Sequence, residues 1–374
     1  MKILIAHAYA GIGHKKAAEA IAKALAGFKD CDVEVVDALD YTNALFKFSY
    51  PRVYLFLINR APFLWGALYY FLDLKVIDVF VAPLRRVFHN LQACRFIRFV
   101  LEKKPDVVIC THFLPAEVVS GLKRKGDFKG KLVTVVTDFL AHSFWLARCS
   151  DYFIGAIDRT KKDLARRGIK EETVKVLGIP CDSVFSISKG RDQLIEKLGL
   201  GQGFFNLLIM GGGFGTGPVK EIVNSISNLK KDIRVRLQIM VICGRNKKLL
   251  DDLNRAMLEL DVKMSVFGFM DNVDEFMEAS DCIVTKSGGL TVSESLSKKL
   301  PMIIIKPIPG QETRNCNILT GYGTALRANS VNQVIEHVKD LVSYPEKIIG
   351  MKARINLLSY PDAARDIANF ARDL

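Results

Sequence analysis

His14 is the residue in this chain best placed to act as a general base. It follows the apolar run KILIAHA and the loop Tyr9-Ala-Gly-Ile-Gly13, and it opens the helical segment KKAAEAIAKAL. An imidazole at the positive end of a helix stays neutral, as a base must, and the same place also suits a histidine that merely caps the helix. Gly11 and Gly13 predict a tight strand-to-helix turn that a ligand can approach closely, while Lys16 in place of a third glycine excludes the dinucleotide fingerprint. The loop Met210–Pro218, with Gly212 and Gly213, matches neither a Walker A loop nor that fingerprint; it reads as an anion cradle or as a structural turn. In Asp281–Glu294, Ser287 and Gly288 form a turn, and Thr291 with Glu294 three residues on reads either as a capping box or as a ligand pair. Two prolines and a glycine then stiffen Pro307–Asn315, where Gln311 and Glu312 side by side can bridge vicinal hydroxyls such as a hexose presents.

These segments all follow short apolar runs. Strands are predicted at KILIAHA (2), VEVVDA (33), DVVICT (106), LVTVVTD (132) and YFIGA (152), and again at FFNLLIM (204), RLQIMVICG (236), KMSVFGF (263), CIVTK (282) and PMIIIK (301), with helical-period stretches between. Alternation of that kind makes an α/β chain with two parallel, doubly wound sheets. The polar, Gly-containing stretch 186–203 reads as the linker between a first domain, 1–187, and a second, 188–359. Ligands of such sheets bind beyond the carboxyl ends of the strands, so the cleft between the domains is where the motifs should meet.

A chain of 374 residues that is 49% hydrophobic is neither a disordered tail nor a disulfide-stapled miniprotein. Eight cysteines without C-x-x-C or zinc-finger spacing read as buried thiols of a reducing compartment. The net charge of +13 suits nucleic acid, anionic lipid or a phosphorylated substrate until it is located. Residues 41–100 carry eight basic and two acidic side chains among many aromatic ones, which suits helices lying in an anionic lipid interface, or else core helices with a solvated basic edge. Asn59, Arg60 and Pro62 interrupt the apolar stretch 53–72, which predicts no spanning helix.

Together, GxGHxxAA (Gly11 to Ala18), VVTDFxxHxxW (Val135 to Trp145), GIP (Gly178 to Pro180), CGRN (Cys243 to Asn246), KSGGLTxSE (Lys286 to Glu294) and PGQExxN (Pro309 to Asn315) resemble the monogalactosyldiacylglycerol synthase and processive diacylglycerol glucosyltransferase family. Departures are Ala10, where many members have glycine, and Cys181-Asp182, where some carry an arginine. The resemblance implies a GT-B fold, two facing Rossmann-like domains, with a last helix at about 360–374 crossing back to the first. It implies inverting transfer of glucose or galactose from a UDP-hexose to diacylglycerol, without metal or cofactor; no D-x-D motif follows a strand to hold a metal diphosphate. It implies His14 as base with Asp138 catalytic, and His142 and Trp145 on the acceptor side. Gly212, Gly213, Arg245, Phe269, Ser287, Gly288, Thr291, Glu294, Gln311, Glu312 and Asn315 would hold the nucleotide sugar, with Glu294 on the ribose and Gln311 and Glu312 on the hexose. The basic, aromatic stretch, with Phe63, Trp65, Arg85 and Arg86, would dock on anionic lipids at the cytoplasmic face of the membrane, and no nucleic acid is expected. The neighbouring readings are N-acetylglucosamine transfer to a polyprenyl-linked acceptor, a UDP-sugar 2-epimerase of the same fold, and a noncatalytic lipid carrier.

Overall fold

The computed structural model describes residues 1–374 except 10, 213, 214 and 216. Two all-parallel sheets of six strands face each other. The first holds β1 (Lys2–His7), β2 (Asp32–Asp37), β3 (Val107–Cys110), β4 (Lys131–Val135), β5 (Tyr152–Gly155) and β6 (Val174–Val176) in the order β2-β1-β3-β4-β5-β6. The second holds β7 (Phe205–Met210), β8 (Leu237–Ile242), β9 (Lys263–Phe267), β10 (Cys282–Thr285), β11 (Met302–Ile305) and β12 (Ala325–Ala328) in the order β12-β11-β10-β7-β8-β9. All ten strands predicted from apolar runs are present. The two that were not, β6 and β12, are short edge strands with little apolar pattern to read.

Central strands such as VVIC and MIII are buried on both faces, as crossover helices on each side require. The sheets differ in order yet share one device. Each has a switch point where consecutive connections leave to opposite sides, between β1 and β3 in the first and between β7 and β10 in the second, and crevices open there.

Helix α1 (Ile12–Leu25) covers the first sheet, with Ala18, Ile21 and Leu25 buried. The last helix, Ala363–Arg372, packs beside it and buries Ile367, Ala368 and Ala371 in the same cluster as Ile3 and Ile5. Stretch 186–203 departs from a plain linker. It contains the helix Arg191–Lys197, tied to the second domain where Lys189 and Lys197 reach Glu275 and Arg191 reaches Asp281.

Between β2 and β3 the chain builds α2 (Ala44–Arg60), α3 (Pro62–Leu72) and α4 (Lys75–Gln92). Pro62 takes the first turn of α3, where a missing N–H costs nothing, so the apolar stretch breaks at Ala61 and bends by 115°. Among the described residues no single helix is long and apolar enough to cross a membrane.

Candidate active site

Both switch points open into one cavity of about 850 Å³ between the domains. His14 reaches it from the first turn of α1. The His14 Nδ1 lies 2.9 Å from the Thr111 carbonyl and 3.0 Å from the Thr137 hydroxyl, and the Thr111 hydroxyl donates to the His14 carbonyl at 2.9 Å. A carbonyl only accepts, so Nδ1 carries the hydrogen and Nε2 keeps its lone pair. Burial, offset in part by the Thr111 bond, pushes the imidazole pKa down to about 4. The ring is therefore neutral, oriented and not a helix cap; the N-cap is Gly11, with no side-chain bond. Thr111 and Thr137, which fix that orientation, stand one and two residues beyond β3 and β4, the one sign by which the sequence marks them.

Asp138 shares the cavity, and burial pushes its carboxyl up to about 6 against the pull of Asn315 and Trp145. Trp145 and His142 also line the wall, with the His142 ring engaged at both nitrogens. Its Nε2 donates to the Tyr69 carbonyl at 2.9 Å and its Nδ1 accepts from Phe144 N–H at 3.1 Å, so it ties α3 to the loop after β4.

Gly212, Phe269, Gly288, Thr291, Glu294, Gln311 and Glu312 line the opposite wall, while Gly213 lies outside the described residues. Four expectations need correction. Ser287 and Asn315 are fully buried and serve the site from behind: the Ser287 hydroxyl donates to the Glu312 carbonyl at 2.7 Å, and the Asn315 amide joins the Ser287 carbonyl to Phe139 N–H. Thr291 caps nothing, because the helix Gly289–Ser297 starts two residues earlier and Thr291 sits within its first turn. Gly11 has extended backbone that any residue adopts, so the glycines of that loop keep the cavity lip open and do not enable a special turn. Arg245 is not among the residues that line the cavity; its guanidinium lies 5.3 Å from the ring centroid of Phe269, which does.

Without a side-chain cap, the N-terminus of helix Gly289–Ser297 presents its N–H groups to the cavity at the second switch point, a site suited to an anion. Lys16 adds a positive charge from α1. The single Asp-x-Asp of the chain, Asp30-Cys31-Asp32, lies at the N-terminal end of β2, away from the strand exits that form the cavity.

Burial holds Glu294 protonated to about pH 8, with Lys16 opposing and Asp182 adding to the effect. An unfolded glutamate loses its proton at about 4.3, so between those values the folded state binds the extra proton and stability falls as pH rises. Glu294→Gln removes this dependence. Its thermal midpoint is expected to exceed that of the wild type at about pH 8, with the gap closing toward pH 5. Parallel midpoint–pH curves for the two proteins would contradict it.

The remaining side of the cavity is apolar, walled by Phe46, Tyr50, Val53, Phe88, Phe113 and Phe144 from α2, α4 and their neighbours. The stretch α2 to α4 holds seventeen of the twenty-six exposed large hydrophobics among the described residues, and all of them except Val53 and Phe88 lie off the cavity, including Phe63 at 87% and Leu84 at 72% exposure. Two residues expected on that outer face point inward. Trp65 lines the cavity, and Arg85 is locked between Glu117 at 3.0 Å and Asp78 at 3.7 Å beneath Phe144. Arg86 is half-buried; the exposed cations of α2 are Lys47, Arg52 and Arg60.

Residues 14–181 match the family model for monogalactosyldiacylglycerol (MGDG) synthase, and residues 206–367 match the glycosyltransferase family 28 C-terminal domain. Curated relatives named processive diacylglycerol beta-glucosyltransferase, from Bacillus cytotoxicus and Bacillus cereus, are 28% and 29% identical over 369 residues, 98% of this chain and 92% of theirs. Among solved structures, UDP-GlcNAc 2-epimerase from Neisseria meningitidis superimposes with a TM-score of 0.63 at 15% identity, covering all of both chains. MurG of Acinetobacter baumannii gives 0.61 at 16% identity, covering 100% of this chain and 99% of its own. The likeness to these two is one of fold, and the fold is GT-B.

Proposed function

The chain belongs to the monogalactosyldiacylglycerol synthase and glycosyltransferase 28 family, and on that premise we propose that it transfers a hexose from a UDP-sugar to the free hydroxyl of diacylglycerol with inversion at the anomeric carbon. The observation that carries this reading is the composition of the cavity between the domains. A wall with an open helix N-terminus and paired polar side chains faces an aromatic, aliphatic wall, and the free Nε2 of His14 belongs to the same space.

In this reading His14 accepts the proton of the acceptor hydroxyl as its oxygen attacks the anomeric carbon, and Asp138 sits near that hydroxyl. The bond to the diphosphate breaks as the new one forms, which inverts the centre. Charge building on the departing UDP is met by the N–H groups at the start of helix Gly289–Ser297, the Gly212 turn and Lys16, with Arg245 beside Phe269. We assign no divalent ion to this step, because no paired-aspartate motif stands at a strand exit. Glu294 takes the ribose hydroxyls, Phe269 borders the base, and Gln311 and Glu312 take the hexose. Ser287 and Asn315 position that pair.

We further propose that the exposed apolar face of α2 to α4, with Arg52 and Arg60 on α2, docks on an anionic bilayer at the cytoplasmic face of the cell membrane and lets the lipid acceptor reach the apolar wall from the side. Incubation with UDP-glucose or UDP-galactose and vesicles containing diacylglycerol tests the activity: a hexosyl-diacylglycerol is the expected product.

A further inference from the structure

The hairpin α2–α3 belongs to the first domain, yet it packs directly on the hexose loop of the second. A Cβ at Gly66 would collide with Pro309, and Gly310, at a φ of 103° that favours glycine, lies against the Tyr69 ring, where a Cβ would stand 2.9 Å from Cγ. At that junction Gln311 Nε2 donates to the Tyr54 hydroxyl at 2.8 Å. Tyr54 thus accepts through its oxygen and keeps its own hydrogen to give. The other end of the Gln311 amide, Oε1, is buried without a partner. Beside Tyr54, at 5.2 Å between ring centroids and nearly perpendicular to it, the Trp65 indole also has a buried N–H with no partner. Tyr54, Trp65 and Gln311 all line the cavity. Buried polar groups are rarely left unpaired, and a cluster of them on one cavity wall calls for a hydroxylated ligand.

We propose that the α2–α3 hairpin completes the hexose pocket, with the Tyr54 hydroxyl and the Trp65 indole N–H donating to hydroxyls of the transferred sugar alongside Gln311. Two donors and an amide fixed on opposite domains read the sugar from two sides, so they set which hexose is accepted. Glucose and galactose differ in the direction of one hydroxyl, and a site built to hydrogen-bond that group discriminates where a purely apolar wall cannot. The inference rests on the assignment of Gln311 to the hexose.

Calorimetry of UDP, UDP-glucose and UDP-galactose on the full-length protein tests it, with Tyr54→Phe, which keeps the ring and removes the hydroxyl together with the acceptor of Gln311, and Trp65→Phe, which removes the indole N–H with part of the ring. Each variant is expected to weaken the preferred UDP-hexose about three- to tenfold, leave UDP itself unchanged and narrow the preference between the two hexoses. Gln311→Ala separates this inference from its premise. If Gln311→Ala weakens the UDP-hexose selectively but both aromatic variants bind it as the wild type does, the hairpin does not read the sugar and the inference falls while the loop assignment stands. If Gln311→Ala weakens UDP equally, the loop assignment itself falls. A rise confined to the KM of a lipid acceptor in the aromatic variants would place Tyr54 and Trp65 on the acceptor and overturn the inference as well. Should Trp65→Phe not fold, Tyr54→Phe alone carries the same outcomes.

Discussion

Replacing His14 with alanine is expected to lower kcat on diacylglycerol by ~10²–10⁴ while UDP-hexose affinity stays near the wild-type value. The expectation follows from the hydrogen-bond assignment. With Nδ1 committed to the Thr111 carbonyl, Nε2 is the free basic atom of the ring, and a pKa pushed down to about 4 leaves it unprotonated at neutral pH. A depressed pKa also makes a weak base, so the ring contributes most where the acceptor oxygen is already developing a bond and its proton is becoming acidic. Thr111→Val, which removes the hydroxyl that grips the His14 carbonyl but keeps the Thr111 carbonyl, should cost far less. Near-normal turnover in His14→Ala would transfer the role of base to Asp138, whose carboxyl lies at about 6.

The second large effect is on membrane binding. Phe63, Phe80 and Leu84 are 87%, 70% and 72% exposed and support no packing inside the protein. Burying such side chains fully is worth ~1.5–3 kcal/mol each, so changing all three to serine should reduce partitioning onto vesicles on the order of 50-fold even if they insert only halfway. Arg52→Glu with Arg60→Glu should remove the share of binding that grows with anionic lipid and shrinks in salt, at about 1 kcal/mol per cation. Cosedimentation with neutral and phosphatidylglycerol-containing vesicles reads both. Wild-type binding by the triple serine variant would make the apolar face something other than a lipid-docking surface, and equal binding to the two vesicle types would remove the role of the cations. Arg85 is unsuited to this test, since Arg85→Glu would set a carboxylate against Glu117 and Asp78 and damage the fold.

The sequence already carried the strand runs, because buried parallel strands are continuous apolar segments, and it carried the motifs that follow them, because crevices form at strand exits. It could not show which polar residues of a motif face the ligand. Ser287 sits next to Gly288 and Asn315 three residues beyond Glu312, yet both turn into the protein and hold the loops together. Side-chain direction in the α2–α4 region was equally hidden: Trp65 and Arg85 have the composition of a membrane face but the positions of an inner one. Tyr54 and Trp65 carry no motif at all. Their place beside Gln311 comes from the bend at Ala61 and from packing across the domains, which only the folded chain displays.

The most direct test of the account is the structure of the product formed from each α-linked UDP-hexose and diacylglycerol in phosphatidylglycerol vesicles. A hexosyl-diacylglycerol with the β configuration at the new bond, formed one-for-one with UDP, is the predicted result. A nucleotide sugar returned as its epimer with no glycolipid formed, or a glycolipid with the α configuration retained, would contradict it.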